Sequence, residues 1–586
     1  MAQDMLAEEK YPATGASSIT GASLRQDKGE LSEISSILQD GTKLDTNSPI
    51  NYHYLTFETP LPFPSSEGPL EQGAIPPPPE PDLKKFTSPF EWSNTRKSLT
   101  IWLSCIATLI TAYTAGAYAA ASKQMAAEWD VSAVAIAVGI TTFCTGFAIA
   151  PMVLAPFSEI NGRYPVFVVS GILYFVCQLC CAVTRSYAGM IVARFFTGVG
   201  SSVFSTMVGG IVSDMYHAHE RNTPMALFSG GALFGTGLGP LVSGIIAQHL
   251  HWRWVFWLQV ITTGVLIAVF ALCFNETRGS ILLSRKAKCL NSWYEEREKL
   301  GYFGIDMAQG EKRETRSERV RWKVKSDEER QSITQMIQIS VYRPFHMLTT
   351  EPVVFFFSLW VAFAWAVLYL TFGSIPLVFG RSHGFNTQSS GCVFAAMSIA
   401  AMLATILSIT QEALLSRYVK NLGQKTKGTD ELGRTATQAS RFTIRKLDMA
   451  SPESRLYFAC IESVLLPVGL FMFAWTQFSS IHWIVPTIAV GISTAGIYSI
   501  YLATFNYLAD TYHRYASSAL AAQSFCRNIL GGVFPLVTVA MFNGLTFQGA
   551  ASLLGGIGAL LTIVPWVLVL YGPKIRARSK FASEIM

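Results

Sequence analysis

Glu159, Gly162 and Arg163 stand in the stretch APFSEINGRYP, residues 155–165, between two long apolar runs. An acid and a base four residues apart around a glycine could latch helix ends together. Gly162 permits a turn too tight for a side chain, Glu159 can face the positive end of a neighbouring helix, and Arg163 can cap carbonyls. Such a cluster would hold in one conformation and break in another, for about 1 to 3 kcal/mol when partly buried. Asp214, Arg221 and Asp510 lie at the ends of other apolar runs and are candidates for the same gate. Deeper in the runs charge is scarce. Arg194 and Arg527 are cations at depth, and Glu462 is the carboxylate clearly inside a run. An ionisable residue costs several kcal/mol there unless paired or facing water, which makes these three candidates for coupling.

The elements that must position these residues are long. The chain has 586 residues, 50% of them apolar and 14% charged. Its apolar residues gather into twelve stretches of about 20, the length that crosses a hydrocarbon core of about 30 Å as a helix. They fall at 98–121, 132–154, 166–184, 188–211, 222–248 and 254–274, then at 352–379, 388–411, 455–476, 482–508, 515–541 and 548–571. This is an all-α integral membrane class. A polar segment at 275–350, with a pattern of mixed charge that suggests short surface helices, divides the spans six and six, at 98–274 and 351–572. Many secondary transporters are built this way, with the site between the halves. Residues 1–97 are rich in Ser and Pro, carry 14 acidic and 8 basic residues, and are expected to form a disordered tail. Segment 412–453 is polar and expected to be mobile, and 573–586 forms a second tail.

Basic residues concentrate in loops that would all lie on one side, including LLSRKAK at 282–288, RSERVRWKVK at 316–325 and PKIRARSK at 573–580. The positive-inside rule then places both termini in the cytoplasm. The net charge of +6 is spread over those loops, which reads as an orientation signal rather than a nucleic-acid patch. Nine of the ten cysteines fall within spans, so neither a disulfide framework nor a metal site is expected. No G-x-x-x-x-G-K-[ST] loop occurs, which argues against ATP as the energy source, and no cofactor is implied. The NET triplet at 275–277 matches a glycosylation acceptor but lies on the cytoplasmic side. Paired histidines or acids at matching depth, which an intramembrane enzyme would need, are missing, so a transporter and not an enzyme is expected.

The loop at 155–165 resembles the signature G-x-x-x-D-R-x-G-R-R of the major facilitator superfamily, with Ala155 in place of the first glycine and Tyr164 in place of the last base. ARFFTGVGSS at 193–202 resembles the family's fourth-span motif, with Arg194 at its arginine. GALFGTGLGPLVSG at 231–244 resembles the antiporter motif of the fifth span, with Ser243 where glycine is usual. The form of these motifs, and of spans nine to eleven, is similar to the fungal branch of the twelve-span drug:proton antiporters. The resemblance covers about residues 90–575. It implies the major facilitator fold, two six-helix halves, and Arg194 coupled to proton movement.

Gly231, Gly235 and Gly239 repeat every four residues and line one helix face, with Pro240 adding a kink and Gly244 closing the motif. By the resemblance they form a seal and pivot between halves that favours export. In that fold spans one, four, seven and ten surround the path. The expected cavity residues are therefore Tyr113, Tyr118, Trp365, Tyr369, Tyr498, Tyr501 and Asn506, with Trp360 on the same span as Trp365. Such a lining suits amphipathic, planar or hydrophobic organic molecules and suits phosphorylated or strongly anionic ones poorly. The resulting expectation is a monomeric, proton-coupled exporter of xenobiotics or a toxic metabolite, in the plasma or vacuolar membrane. Uptake by proton symport and a non-transporting receptor are the alternatives. The small organic substrate, protons and the bilayer are the partners expected.

Overall fold

A computed structural model of the chain describes residues 48–64, 76–217, 220–309, 314–328, 333–430, 451–512, 515–579 and 581. The chain divides into two compact units. Of the described residues the smaller draws on 48–53, 60–64, 76–80, 291–309 and 314–321, and the larger on the rest.

The large unit contains twelve helices long and apolar enough to cross a membrane. We label them α1 (Asn94–Ala120), α2 (Ala133–Asn161), α3 (Arg163–Val183), α4 (Tyr187–Met215), α5 (Asn222–His249), α6 (Arg253–Cys273), α7 (Pro352–His383), α8 (Thr387–Leu415), α9 (Pro452–Thr476), α10 (Ile484–Tyr512), α11 (Ala516–Gly544) and α12 (Thr546–Arg576). In hydrocarbon every backbone N–H and C=O needs an internal partner, and a helix supplies one to all but its ends. Four of the N-terminal ends are capped by side chains. Ser93, Ser132 and Ser186 accept from Arg96, Ala135 and Gly189 N–H, and Asn386 accepts from Ser389 N–H. We call the face holding the starts of α1 and α7 basal and the opposite face distal.

Within the first half α1 packs on α5 and α4 on α2 and α3. Within the second, α7 packs on α11 and α9 on α10 and α12. The most extensive contacts between halves are α2 with α11 and α5 with α8, and α5 also meets α10. The distal loops of the first half are braced by Glu128. It accepts from Arg253 Nη2 at 2.8 Å and from Trp252 Nε1, while Gln124 accepts from Trp252 N–H at 2.7 Å.

One expectation is corrected in part and another extended. Residues 1–97 were expected to be disordered, and 275–350 to hold short helices. Helices do stand in the second segment, at Gly279–Lys299, Lys325–Glu328 and Ile333–Thr350. The two segments also share a sheet of β1 (Ile50–Tyr54), β2 (Phe63–Pro64), β3 (Ile305–Gln309) and β4 (Glu314–Lys323), in the order β1-β4-β3-β2, while 1–47 and 65–75 lie outside the described residues. β3 pairs antiparallel with both β2 and β4, setting Phe63 opposite Asp306 and Ile305 opposite Glu318. The reason is nonlocal. Neither segment is apolar enough to fold alone, but INYHY and RVRWK carry the β-branched and aromatic residues that a shared sheet can use. Helix Gly279–Lys299 supplies Glu298, which takes Arg319 Nη2 and Arg321 Nη2 at 2.8 Å each. Burial alone would raise the Glu298 carboxyl, but the two arginines hold it below its ordinary value. Segment 412–453 also differs from expectation, because its helix continues as far as Asp430, and 431–450 lie outside the described residues.

The Arg253 hydrogen bond holds the Glu128 carboxyl below its usual range, with Trp252 and nearby positive charge adding to the effect. A depressed folded-state pKa contributes stability that is present above the unfolded value and lost as pH falls through the folded one. The thermal midpoint of purified protein should therefore drop as pH is taken below the ordinary carboxylate range, and Glu128→Gln should reduce that dependence. An unchanged pH profile in this variant would remove Glu128 from the account.

Candidate functional site

The α2–α3 turn is built around Gly162, whose φ of 97° is one that side-chain-bearing residues rarely adopt. Beside it the Glu276 carboxylate accepts from Arg163 N–H at 2.9 Å, Tyr164 N–H at 3.2 Å and Arg278 N–H at 2.9 Å. Glu276 thus caps the positive end of α3. The Arg163 side chain, 4% exposed, donates from Nε to Asp214 Oδ2 at 3.1 Å and from Nη1 to Ser158 Oγ at 2.9 Å. Arg278 Nη1 reaches Asp214 Oδ1 at 3.2 Å. Tyr164, where the family signature has a base, donates instead to Ala271 O at 3.1 Å.

A counterpart stands in the second half. Arg455, near the start of α9, donates to Asp510 Oδ2 at 2.9 Å near the end of α10 and to Glu412 Oε1 at 3.1 Å on α8. The halves meet at this face through amides. Asn506 Nδ2 donates to Asn222 Oδ1 at 2.8 Å, and Asn222 Nδ2 donates to Glu412.

Between the halves α5 shows glycine on two faces. A Cβ on Gly235 or Gly239 would strike the α1 backbone, at Leu109 O and at Tyr113 O 2.6 Å away, and Gly231 faces Cys105 O. The other face meets α8. A Cβ on Gly237 would lie 2.7 Å from Ser398 Oγ, one on Gly244 3.1 Å from Thr387 O, and one on Gly230 against Thr405. Ser243 forms a hydrogen bond of 3.2 Å with the Tyr113 hydroxyl. Toward the distal face α2 and α11 also touch, Thr141 Oγ1 donating to Gly532 O at 2.8 Å. Toward the basal face they part, leaving a cavity of about 820 Å³ lined by Glu159, Met225, Phe505, Asn506, Leu520 and Ser524 among others.

The profile of the Major Facilitator Superfamily matches residues 104–535. The chain belongs to this superfamily. It is 35% identical to "Efflux pump atB" of Aspergillus terreus over 75% of this chain and 84% of that one. It is 31% identical to "Major facilitator superfamily multidrug transporter mdrA" of Aspergillus fumigatus over 85% of this chain and 74% of that one. Among solved structures, the proton:xylose symporter XylE is similar in fold, with a TM-score of 0.53 and 13% identity over 82% of this chain and 97% of that one.

The superfamily's signature loop is therefore placed, but not with the contacts its sequence suggests. Glu159 caps no helix and makes no ion pair among the described residues; it lines the cavity, and Glu276 takes the capping role. The Arg163 side chain reaches a serine and an aspartate rather than carbonyls. Arg221 does cap carbonyls, those of Tyr216 at 2.9 Å and Ser213 at 3.3 Å. Burial pulls its pKa down, opposed by the charges of Asp510 and Asp214. The expected single gate is thus two clusters, one within each half, joined by Asn222, Asn506 and Glu412. Glu276, Arg278, Glu412, Arg455 and Asn222 escaped the sequence reading. One signal was present: Asp214-Met215-Tyr216 and Asp510-Thr511-Tyr512 repeat D-x-Y at matching ends of α4 and α10.

The antiporter motif is also split. Gly231, Gly235 and Gly239 form one face as expected, yet that face meets α1 of their own half, and Gly244 with Gly230 and Gly237 forms the seam between halves. The cavity candidates separate likewise. Asn506 lines the cavity. Trp365, Tyr369 and Tyr501 gather behind its inner end, Trp365 and Tyr501 with centroids 4.7 Å apart. Tyr498 donates to Ala226 O at 3.3 Å across the halves. Tyr113 and Tyr118 are buried within the first half, Tyr118 donating to Ile136 O at 3.1 Å. Trp360 packs on Phe357 inside the second half.

Among the described residues neither deep arginine has a carboxylate partner. Arg194 is fully buried, donates to Gly139 O at 3.3 Å and Thr114 O at 3.5 Å, and lies between the rings of Tyr118 and Phe143 at 4.6 and 4.5 Å. Arg527, 2% exposed, lies over Trp365 at 4.5 Å and Tyr501 at 4.9 Å, and its one hydrogen bond goes from Nη2 to Ser524 Oγ at 3.5 Å. Asp510, a carboxylate nearer the basal end, is paired with Arg455. Burying an ion costs several kcal/mol, and a desolvated ring face returns about 2 kcal/mol, so Arg527 is left short of compensation. Glu462 accepts from Ser499 Oγ at 2.6 Å and lines a lateral groove between α8, α9 and α10, away from the cavity.

Removing one partner of a buried ion pair strands the other. Asp214→Ala should therefore destabilise the protein by about 3 to 5 kcal/mol, whereas Glu159→Gln should stay within about 0.5 kcal/mol. Denaturation of the two purified variants against wild type checks this, and equal losses would contradict the assignment of Asp214 as the Arg163 partner.

Proposed function

We propose that the chain exports small organic compounds from the cytoplasm in exchange for protons, by alternating access, with the basal face cytoplasmic. The observation that carries this is the cavity between α2 and α11, open basally and closed distally, beside a seam of glycines. The efflux pump and multidrug transporter names of its relatives support the outward direction. The concentration of basic loops at the basal end supports the orientation.

In this reading a compound enters the basal cavity and rests against Phe505 and the aromatic cluster behind it. The Asn222, Asn506 and Glu412 contacts are the basal gate, and the α2–α11 contact at Thr141 is the distal one. Each half moves as a body because the Arg163–Asp214 and Arg455–Asp510 pairs tie its own helices together. Glu159 faces the cavity without an ion pair and is the carboxylate best placed to exchange a proton. Arg194 moves with the first half and senses that exchange through the polar groups around it. A plasma-membrane site would give the cycle a pH gradient and a potential, the latter about 2.3 kcal/mol per charge per 100 mV.

Cells lacking their own pumps and expressing this chain should accumulate less of at least one fluorescent dye or azole, and a protonophore should abolish the difference. Gly237→Leu should lose the effect because the seam has no room for the side chain. Gly556→Leu should keep it, since nothing lies within 4 Å of a Cβ at that glycine. Accumulation that rises on expression would point to uptake, and a response indifferent to the protonophore would remove proton exchange.

A further inference from the structure

The cavity ends at Ser524 and Phe505, and one turn above each lie Arg527 and Tyr501. Ser524 Oγ accepts the Arg527 hydrogen bond, so the guanidinium sits immediately behind a residue that lines the cavity. Its Nε and Nη1 are buried without a partner. Trp365 and Tyr501 flank it, and Phe228 and Phe505 continue the aromatic surface, with centroids 6.2 and 5.0 Å from Tyr501. Gly531, one turn along α11, leaves Trp365 and Tyr369 in ordinary contact distance of that face.

This arrangement has a cation with unused donors, no described carboxylate paired to it, and aromatic surface on two sides. Arg194 is a second buried cation with no described carboxylate partner, and its Nη2 has no hydrogen-bond partner. The approach does not oppose an anion either, because four arginines and three carboxylates line the cavity below. A planar guanidinium takes a carboxylate in paired hydrogen bonds. Two negative charges would leave one uncompensated among aromatic rings, which favours a monoanion over a phosphate monoester. A cationic compound would find no counter-charge here.

We infer that Arg527 is the anion-binding group of a substrate site at the cavity roof, and that the site takes aromatic monocarboxylates. This rests on reading the cavity as a transport site. It also refines the expectation of a weakly charged pocket: the aromatic surface is there, but its charge is positive and unpaired.

The test is calorimetric binding to the purified full-length protein with three ligands of one shape: 2-naphthoate, 2-naphthamide and 2-naphthylmethylamine. On wild type the acid should bind at least ten times more tightly than the amide, and the amine more weakly than both. Arg527→Gln should lose at least tenfold for the acid and bind acid and amide alike. Arg527→Lys, which keeps a charge but not the planar fork, should retain part of the preference. Equal affinity of wild type for acid and amide overturns the inference without any variant, which covers the case in which Arg527→Gln does not fold. A folded Arg527→Gln that still prefers the acid also overturns it. Efflux of 2-naphthoate from cells is measured separately: binding through Arg527 without efflux would count against export while leaving the anion site standing.

Discussion

Helix α5 must lie within backbone contact of two helices at once, and the rest of the molecule is arranged around that requirement. Lipid offers no hydrophobic drive to bring helices together, so association depends on how closely backbones approach. Gly231, Gly235 and Gly239 bring α5 onto α1, while Gly230, Gly237 and Gly244 bring it onto α8. The first contact builds a half and the second joins the halves. Both are made by one element, so α5 touches at once the seam and α1, whose Thr114 O accepts from Arg194. Ser243 shows the tolerance of the scheme: a hydroxyl stands where the motif usually has glycine and is satisfied by Tyr113.

Polar chemistry is concentrated at the basal ends, where helix termini leave backbone groups unsatisfied. The two halves solve the problem in parallel, with Arg163 and Arg455 opening α3 and α9 and reaching Asp214 and Asp510. They differ at the next contact. After α6 an acid, Glu276, meets the start of α3; after α12 a base, Arg576, meets Glu453 at the start of α9 at 2.9 Å. The polarity is exchanged between the halves, so the ion pairs brace each half internally. The contacts between halves at this face are those of Asn222 with Asn506 and Glu412, which exchange more cheaply with water than a buried ion pair does.

The centre is built differently. There the cations have no acids, and rings stand in for them. Arg194 is held by two carbonyls and two rings within one half, with Nη2 left without a partner. Arg527 sits behind the cavity wall at Ser524, with both Nε and Nη1 left without a partner. The same residue type at similar depth therefore has two environments, and the difference lies in what each guanidinium can still bind.

Span number and the division into halves were legible because each depends on local properties: bilayer thickness sets run length, and a long polar segment marks the boundary along the chain. The signature loop, the fifth-span motif and the rarity of deep charge were legible for the same reason. What could not be read was pairing. Glu276 looked like part of an unused NET triplet, Glu159 looked like the acid that faces a neighbouring helix end, and strands at 50–54 and 63–64 lay in a segment too polar to fold alone. Each was decided by residues tens to hundreds of positions away. Glycines spaced by four gave a helix face, but only the tertiary structure decided that this face meets α1 and that an interleaved set meets α8. The physical reason is that hydrophobic length acts residue by residue, whereas hydrogen bonds, ion pairs and close backbone contacts need a second partner, and the fold alone chooses it.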